Sequence, residues 1–480
     1  MAEAPLEGGL RAAPPTPAGV RELPIAEEAL IRQLARPGPR YTSYPTAPAW
    51  RTEGFGALQY AERLQQAERQ GPAAPLSIYV HLPFCREMCR YCGCSVVVTG
   101  QSQKVDRYLD YLAREMDLVT ARLPHRRRVD QLHLGGGTPT WLDVRQLERL
   151  WQLISARFTI VAGADLALEV DPRVTSPEQL ALLHRCGFAR VSMGVQDFTP
   201  EVQDAIGRQQ SVELTEALYR AARALGYRTI NFDLVYGLPR QRLETFALTL
   251  DQALRLRPDR LALFSYAHVP WMRPHQRAID EAELPDAVHK VRLFELARGK
   301  LLTAGYVQVG MDHFALPSDA LAQARLVHRL HRNFQGYITQ PSGDTLAFGI
   351  TAISDVQAAY AQNVKRIADY YRHLDAGELP IERGCALTAD DLLRRDVIHG
   401  LMCNFVVDLE QLTRAHGVSP HHFAAEVAAL SWAEEQGLMR RVGQTLEILP
   451  LGQLFVRNVA MAFDAYLPAQ QARPTFSSTV

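Results

Sequence analysis

The chain has 480 residues, 47% hydrophobic and 22% charged, with 52 basic residues against 52 acidic ones. Zero formal net charge leaves no electrostatic footprint for nucleic acid or an anionic membrane, and the length predicts one large domain plus a smaller one. No run of 18 apolar residues occurs and Met1 to Val20 lacks an apolar leader core, so the expectation is a cytoplasmic protein without a membrane span.

Residues 1–24 are rich in Ala, Pro and Gly and are expected to be disordered. Residues 25–70 read as an N-terminal arm followed by a helix. Pro37 to Trp50 carries four prolines and two tyrosines, which excludes a helix there, and helical periodicity returns at Ala57 to Arg69. From Ser77 short apolar strands alternate with amphipathic stretches. Strands are predicted at Ser77–Leu82, Gln131–Leu134, Leu166–Val170, Arg190–Val195, Thr229–Val235 and Arg260–Tyr266. Helices are predicted near Lys104–Arg122, Asp143–Arg157, Ser176–Arg185, Val212–Leu225 and Glu244–Leu256. Thr175-Ser176-Pro177-Glu178 is a helix start, with a capping hydroxyl and Pro in the first turn. The run Arg126-Arg127-Arg128 reads as a solvated loop. Six strand–helix units imply right-handed crossovers and a parallel sheet. Pattern alone leaves open whether that sheet curls into a barrel.

Each strand ends in a polar or glycine-rich feature. In chain order these are the Cys85 loop, Gly135-Gly136-Gly137-Thr138, Glu169 with Asp171, Gln196 with Asp197, Asp233, and Tyr266-Ala267-His268. In parallel α/β folds the ligand sits outside the carboxyl ends of the strands, so one site built from six loops follows. After about Ala320 the pattern changes. Residues 321–376 read as a connecting segment, 377–467 as a mostly helical, winged-helix-like domain and 468–480 as a tail. Within that domain a helix is expected over Leu387 to Val407 with Thr388 as N-cap, and a hairpin around Gly443-Gln444. Without a basic recognition stripe, a cover over the barrel mouth is favoured over DNA binding.

Cys85, Cys89 and Cys92 form a C-x3-C-x2-C triplet, with Cys94 two residues on. A disulfide framework suits a small secreted domain rather than seven cysteines in 480 residues. Structural zinc would want a second pair of ligands, and no C-x2-C pair recurs downstream. Three thiolates on one loop suit an iron–sulfur cube with one iron left open, which is the favoured reading. The isolated Cys186, Cys385 and Cys403 read as small buried hydrophobes.

The triplet matches the signature of the radical S-adenosylmethionine superfamily. From Pro37 onward the chain resembles the oxygen-independent coproporphyrinogen III oxidases, also called coproporphyrinogen dehydrogenases. The resemblance rests on Arg40-Tyr-Thr-Ser-Tyr-Pro, Tyr79 to Cys94, Gly135-Gly-Gly-Thr-Pro-Thr, Glu169-Val-Asp-Pro-Arg, Ser192-Met-Gly-Val-Gln-Asp-Phe and Asn231-Phe-Asp-Leu-Val-Tyr-Gly-Leu-Pro. It continues through Tyr266-Ala-His-Val-Pro, Gly310-Met-Asp-His-Phe, Arg332-Asn-Phe-Gln-Gly-Tyr and Phe463-Asp-Ala-Tyr. The triplet names only the superfamily; the Arg40 and Arg332 motifs narrow it to this family.

The resemblance implies an α/β fold, an incomplete (βα)6 TIM-like barrel over 71–320 with an extended N-terminal arm and a C-terminal helical domain. It implies a [4Fe–4S] cluster held by Cys85, Cys89 and Cys92 but not Cys94, and two molecules of S-adenosylmethionine. Tyr79, Gly136, Gly137, Thr138, Glu169, Gln196, Arg208, Asp233, Ala267 and Ile353 match positions that contact those molecules, and Tyr79 joins the three cysteines as the expected catalytic set. The implied reaction is anaerobic oxidative decarboxylation of two propionates of coproporphyrinogen III to the vinyl groups of protoporphyrinogen IX, in haem biosynthesis. A 5′-deoxyadenosyl radical takes a hydrogen from the carbon β to the carboxylate, and loss of CO2 and one electron leaves the vinyl group. A flavodoxin-type protein is the expected electron donor and a monomer the expected state.

Two residues depart from the family pattern. Leu316 stands where an arginine is usual, and Asp355 where an apolar residue is usual. Both would disfavour a tetra-carboxylate substrate if they faced it. The rival class is a haem-binding chaperone of the same superfamily. Cys94 and the Arg40 arm favour the oxidase, because the chaperones carry an aromatic residue at the first position and lack the arm. A radical methyltransferase is disfavoured because no methyl-accepting cysteine pair is evident.

Overall fold

The computed structural model describes residues 24–479 apart from 51, 342 and 468–474. The disorder expected of residues 1–23 and the first part of the expected tail lie outside the described residues. Six strands run parallel in sequential order, β1 (Leu76–Leu82), β2 (Arg128–Gly136), β3 (Thr159–Val170), β4 (Arg190–Gln196), β5 (Thr229–Tyr236) and β6 (Arg260–Ser265). Long helices connect them: α1 (Ser102–Thr120), α2 (Val144–Ser155), α3 (Pro177–Arg185), α4 (Val212–Leu225) and α5 (Leu243–Leu256).

The alternation within strands explains where the core and the site lie. In β4, Val191, Met193 and Val195 are buried, while Ser192, Gly194 and Gln196 are half-buried on the other face. In β5, Ile230, Phe232 and Leu234 are buried in the same way, leaving Asn231 and Asp233 opposite. Strand side chains alternate faces, so the apolar set joins the large core cluster and the polar set faces one cleft. The predicted start of α3 is present. Ser176 accepts from the N–H of Gln179 at 3.3 Å, and the Gln179 side chain returns the bond to the Ser176 N–H at 2.7 Å.

The sheet is larger than six strands. Beyond β6 lie β7 (Val307–Val309) and β8 (His313–Ala315), with β8 pairing antiparallel to β6. On the other side β9 (Thr345–Phe348) pairs parallel with β1, and β10 (Ile353–Asp355), β11 (Ala359–Asn363) and β12 (Ile381–Ala386) follow antiparallel. The order β12-β11-β10-β9-β1-β2-β3-β4-β5-β6-β8-β7 makes one mixed sheet of twelve strands. Its edge strands do not pair with each other among the described residues, so the sheet is open.

Three local expectations need correction. Arg126 is buried rather than solvated: it pairs with Asp344 and donates to the carbonyls of Ala67 and Ala74. Burial of a guanidinium is tolerated because each polar edge finds an acceptor. The helix expected over Leu387 to Val407 runs only from Ala389 to His399 and continues as a π segment, Gly400–Asn404. Phe405 then turns at φ 60° into a strand, Val406–Asp408, where two β-branched residues pair with Leu446 and Glu447. Among the described residues the C-terminal region also does not cover the cleft. Its core packs on the helix Ala287–Thr303 and the N-terminal arm, and the cleft's wall ends with Tyr337. Among the described residues no helix is long and apolar enough to cross a membrane.

Candidate active site

The loop after β1 is held before any cofactor is considered. Phe84–Cys85 pairs in parallel with Val97–Val98, which closes the base of the cysteine loop. His275 bonds the carbonyl of Cys92 at 2.8 Å, Gln276 donates to that of Tyr91 at 3.0 Å, and the N–H of Arg90 donates to Ile206 at 2.9 Å. The loop after β2 locks against it. The N–H groups of Gly137 and Thr138 donate to Leu82 and Phe84, both at 2.9 Å. A Cβ on Gly137 would stand 2.7 Å from the Pro83 carbonyl, so only glycine lets the two loops approach this closely.

Cys85, Cys89 and Cys92 open into one cleft of about 750 Å3. Among the described residues no three His, Cys, Asp or Glu side chains converge to hold a single metal ion. A cube does not ask for that convergence, since its ligand sulfurs stand at separate corners, and the softness and spacing of this donor set fit it. Two guanidiniums lie beside Cys89: Arg173 at 3.7 Å and Arg208 at 3.9 Å from Sγ. Cys94, in turn, is exposed and donates its backbone N–H to Cys92 Sγ at 3.4 Å.

The acids are differentiated. Glu169 accepts from His133 at 3.0 Å and from the N–H of Gly136 at 3.2 Å. Burial works to raise its pKa, but those donors and the charge of His133 hold it below the usual carboxylate range. Asp171 is likewise held down against its burial by Arg208 and Arg173, at 3.0 and 2.7 Å. Asp233 behaves oppositely: burial, aided by the charge of Glu169, pushes it up to about 6 despite bonds from Ser192 and Asn231. Arg208, expected to contact S-adenosylmethionine, has its two Nη groups on Asp171 and its Nε without a partner among the described residues.

Of the residues singled out from sequence, Cys85, Cys89, Cys92, Gly136, Gly137, Thr138, Glu169, Gln196, Arg208, Asp233 and Ala267 all line this cleft. Tyr79 and Ile353 do not. Tyr79 stacks on His133 at 5.9 Å and bonds His81 at 3.1 Å, one layer below the cleft, and Ile353 sits on β10 beyond β9. Sequence reasoning missed His133, Asn231 and Arg173. Alternation within β2 sets His133 with Gln131 on the face opposite the buried Leu132 and Leu134, and that was the available signal. Leu316 packs against the apolar core and Asp355 faces Arg395 at 3.8 Å; neither lines the cleft.

A family profile described as the radical SAM superfamily matches residues 79–253, the span from Tyr79 through most of α5. The chain is 40% identical to the oxygen-independent coproporphyrinogen III oxidase of Synechocystis sp., covering 92% of this chain and 95% of the relative. It is 42% identical to that of Escherichia coli, over 94% and 98%. The chain belongs to the oxygen-independent coproporphyrinogen III oxidase family. It is therefore an enzyme of the radical S-adenosylmethionine type, and the family implies a [4Fe–4S] cluster and S-adenosylmethionine as cofactors. A solved structure of coproporphyrinogen III oxidase from Escherichia coli superposes with a TM-score of 0.87 at 41% identity, over 93% of this chain and all of the other.

Proposed function

We propose that the chain converts two propionate side chains of coproporphyrinogen III to vinyl groups without O2, giving protoporphyrinogen IX in haem biosynthesis. The observation that carries this reading is the opening of Cys85, Cys89 and Cys92 into the same cleft as Glu169, Asp233 and the Gly136-Gly137 turn. Cluster and S-adenosylmethionine, when bound, would supply the one-electron reduction and the hydrogen-abstracting radical chemistry that the propionate requires. The three thiolates would hold the cluster, and Arg173 and Arg208, beside Cys89, would temper its negative charge. Glu169, ionised and oriented by His133, accepts from ribose hydroxyls or an ammonium group. Gly136 and Gly137 let the loops after β1 and β2 close against each other beside the site, and Tyr79, bonded to His81, stacks on His133 to keep it in place.

The finer reading includes two S-adenosylmethionine molecules, an incompletely curled (βα)6 barrel over 71–320 and a mostly helical C-terminal domain over 377–467, joined to the main sheet through β12. One cleft receiving residues from all six parallel strand ends supports the barrel. A monomer in the cytoplasm, reduced by a flavodoxin-type donor, completes it. The test is anaerobic incubation of reduced, cluster-loaded protein with S-adenosylmethionine and coproporphyrinogen III. Protoporphyrin and 5′-deoxyadenosine are expected together; stoichiometric haem binding with coproporphyrinogen III left unchanged would overturn the reading.

A further inference from the structure

Two motifs narrow the family assignment yet take no part in the cofactor chemistry, those beginning at Arg40 and Arg332. The fold brings them to one wall of the cleft. Arg332 donates to the carbonyl of Arg40 at 3.1 Å and lies 5.1 Å over the ring of Tyr337, which lines the cleft. Arg40 lines it too and donates to the carbonyl of Ser265, at the end of β6. Behind Arg40 a pocket of about 50 Å3 shares Arg40 and Ser265 with the cleft and is walled by Asp312 and Arg457.

Among the described residues, cations on this wall outnumber acids. Among the described residues Arg457 donates to backbone carbonyls alone, those of Gly38, Pro39, Ser478 and Thr479. Asp312, the acid whose charge reaches Arg40 and Arg332, is held by His313 at 2.7 Å. Burial pulls the Arg40 pKa down, and the charge of Arg332 adds to the effect. Lys290, bonded to the carbonyl of Tyr266 at 2.9 Å, is likewise held down to about 7 by burial and by the charges of Arg40 and Arg457. Of the five N–H donors on Arg40, a single one is taken among the described residues, by a neutral carbonyl. A half-buried guanidinium on the wall of a cleft, with most of its N–H donors untaken among the described residues and Asp312 shared with Arg332, is complementary to a carboxylate, which it can grip bidentately.

We propose that Arg40 anchors a propionate carboxylate of the substrate, with Arg332 as the positioning residue that fixes the arm carrying it. This deepens the proposed function and rests on it. The cysteine loop follows β1 and Arg40 sits at the end of β6, so the cleft spans the parallel core from first strand to last. A substrate with several carboxylates is repelled by Glu169 and Asp233 and attracted at Arg40. One propionate held there leaves another free to face the thiol end.

The test uses cluster-loaded protein and two probes, coproporphyrin III as free acid and as tetramethyl ester, in equilibrium dialysis. The native protein is expected to prefer the acid. Arg40→Gln should weaken acid binding by at least about 10-fold, leave ester binding unchanged and leave S-adenosylmethionine binding intact. Arg40→Lys, which keeps the charge but not the fork, should fall between, and it serves alone if the Gln variant does not fold. Acid preference equal to native in the Arg40 variants overturns the anchor and spares the proposed function. Native protein that binds S-adenosylmethionine but neither probe overturns both.

Discussion

Cys89 is the most constrained of the three thiols: it is buried, and two guanidiniums flank its sulfur. Cys89→Ser should lose the cluster and abolish S-adenosylmethionine cleavage, read as iron content and 5′-deoxyadenosine. Cys94→Ser should keep about four irons per chain and the absorbance near 400 nm, because Cys94 contributes a backbone N–H to Cys92 that serine also has. Asp233 makes a different prediction. Its pKa is raised in the folded state from 3.8 to about 6, so its ionisation opposes folding. The penalty is absent below the ordinary value, grows as pH rises between the two values, and is full at neutral pH. Asp233→Asn should therefore stabilise the protein at pH 8 by up to about 3 kcal/mol and leave it unchanged near pH 3.5, seen in thermal melts at the two pH values. An equal shift at both would sink the argument. Such a gain is expected where a site keeps a costly charge for function.

At the scale of elements, the loops after β1 and β2 act as one unit. Gly137 has the carbonyls of Pro83 and Phe84 within 2.8 Å of where a Cβ would stand, and backbone cannot swing aside as a side chain can. Gly137→Ala should therefore displace the Cys85 loop. We expect iron loading to fall several-fold with the far-UV circular dichroism unchanged, and full loading would contradict this. The elements themselves were legible because they are local. Periodicity marked β1 to β6 and α1 to α5 within a residue or three at most ends, and the Ser176 cap was read from four residues. The extra length of β2 and β3 was not, since Thr159 to Asp165 is mostly exposed and carries little alternation. Nor was the split of the C-terminal helical stretch into Ala424–Ala428 and Ser431–Glu435: Ala429 and Leu430 break a run whose apolar spacing continues across it.

Across the whole molecule, the arm is tied to the chain's far end. Pro37 bridges to Ser478, Thr479 donates to the carbonyl of Arg36 at 2.8 Å, and Arg457 clasps both segments through their carbonyls. Arg457→Leu leaves those carbonyls unpaired in a buried place. It should cost about 3 kcal/mol and expose Arg36 and Arg40 to trypsin, measured by thermal melting and by mapping the first cleavage. Native-like resistance at the arm would refute the clasp. The amino-acid order alone determined the cluster loop, the strand–helix alternation and the loading of polar residues at strand ends, because each depends on spacings of a few residues. Tertiary structure decided what spacing cannot encode. It added Thr345–Phe348 to the parallel array beside β1, laid His133 between Glu169 and Tyr79, and brought Arg332 to Arg40 from 292 positions away. Contacts at that separation form only when burial of the intervening core offsets the entropy of closing the chain, and no local pattern records which partners will meet.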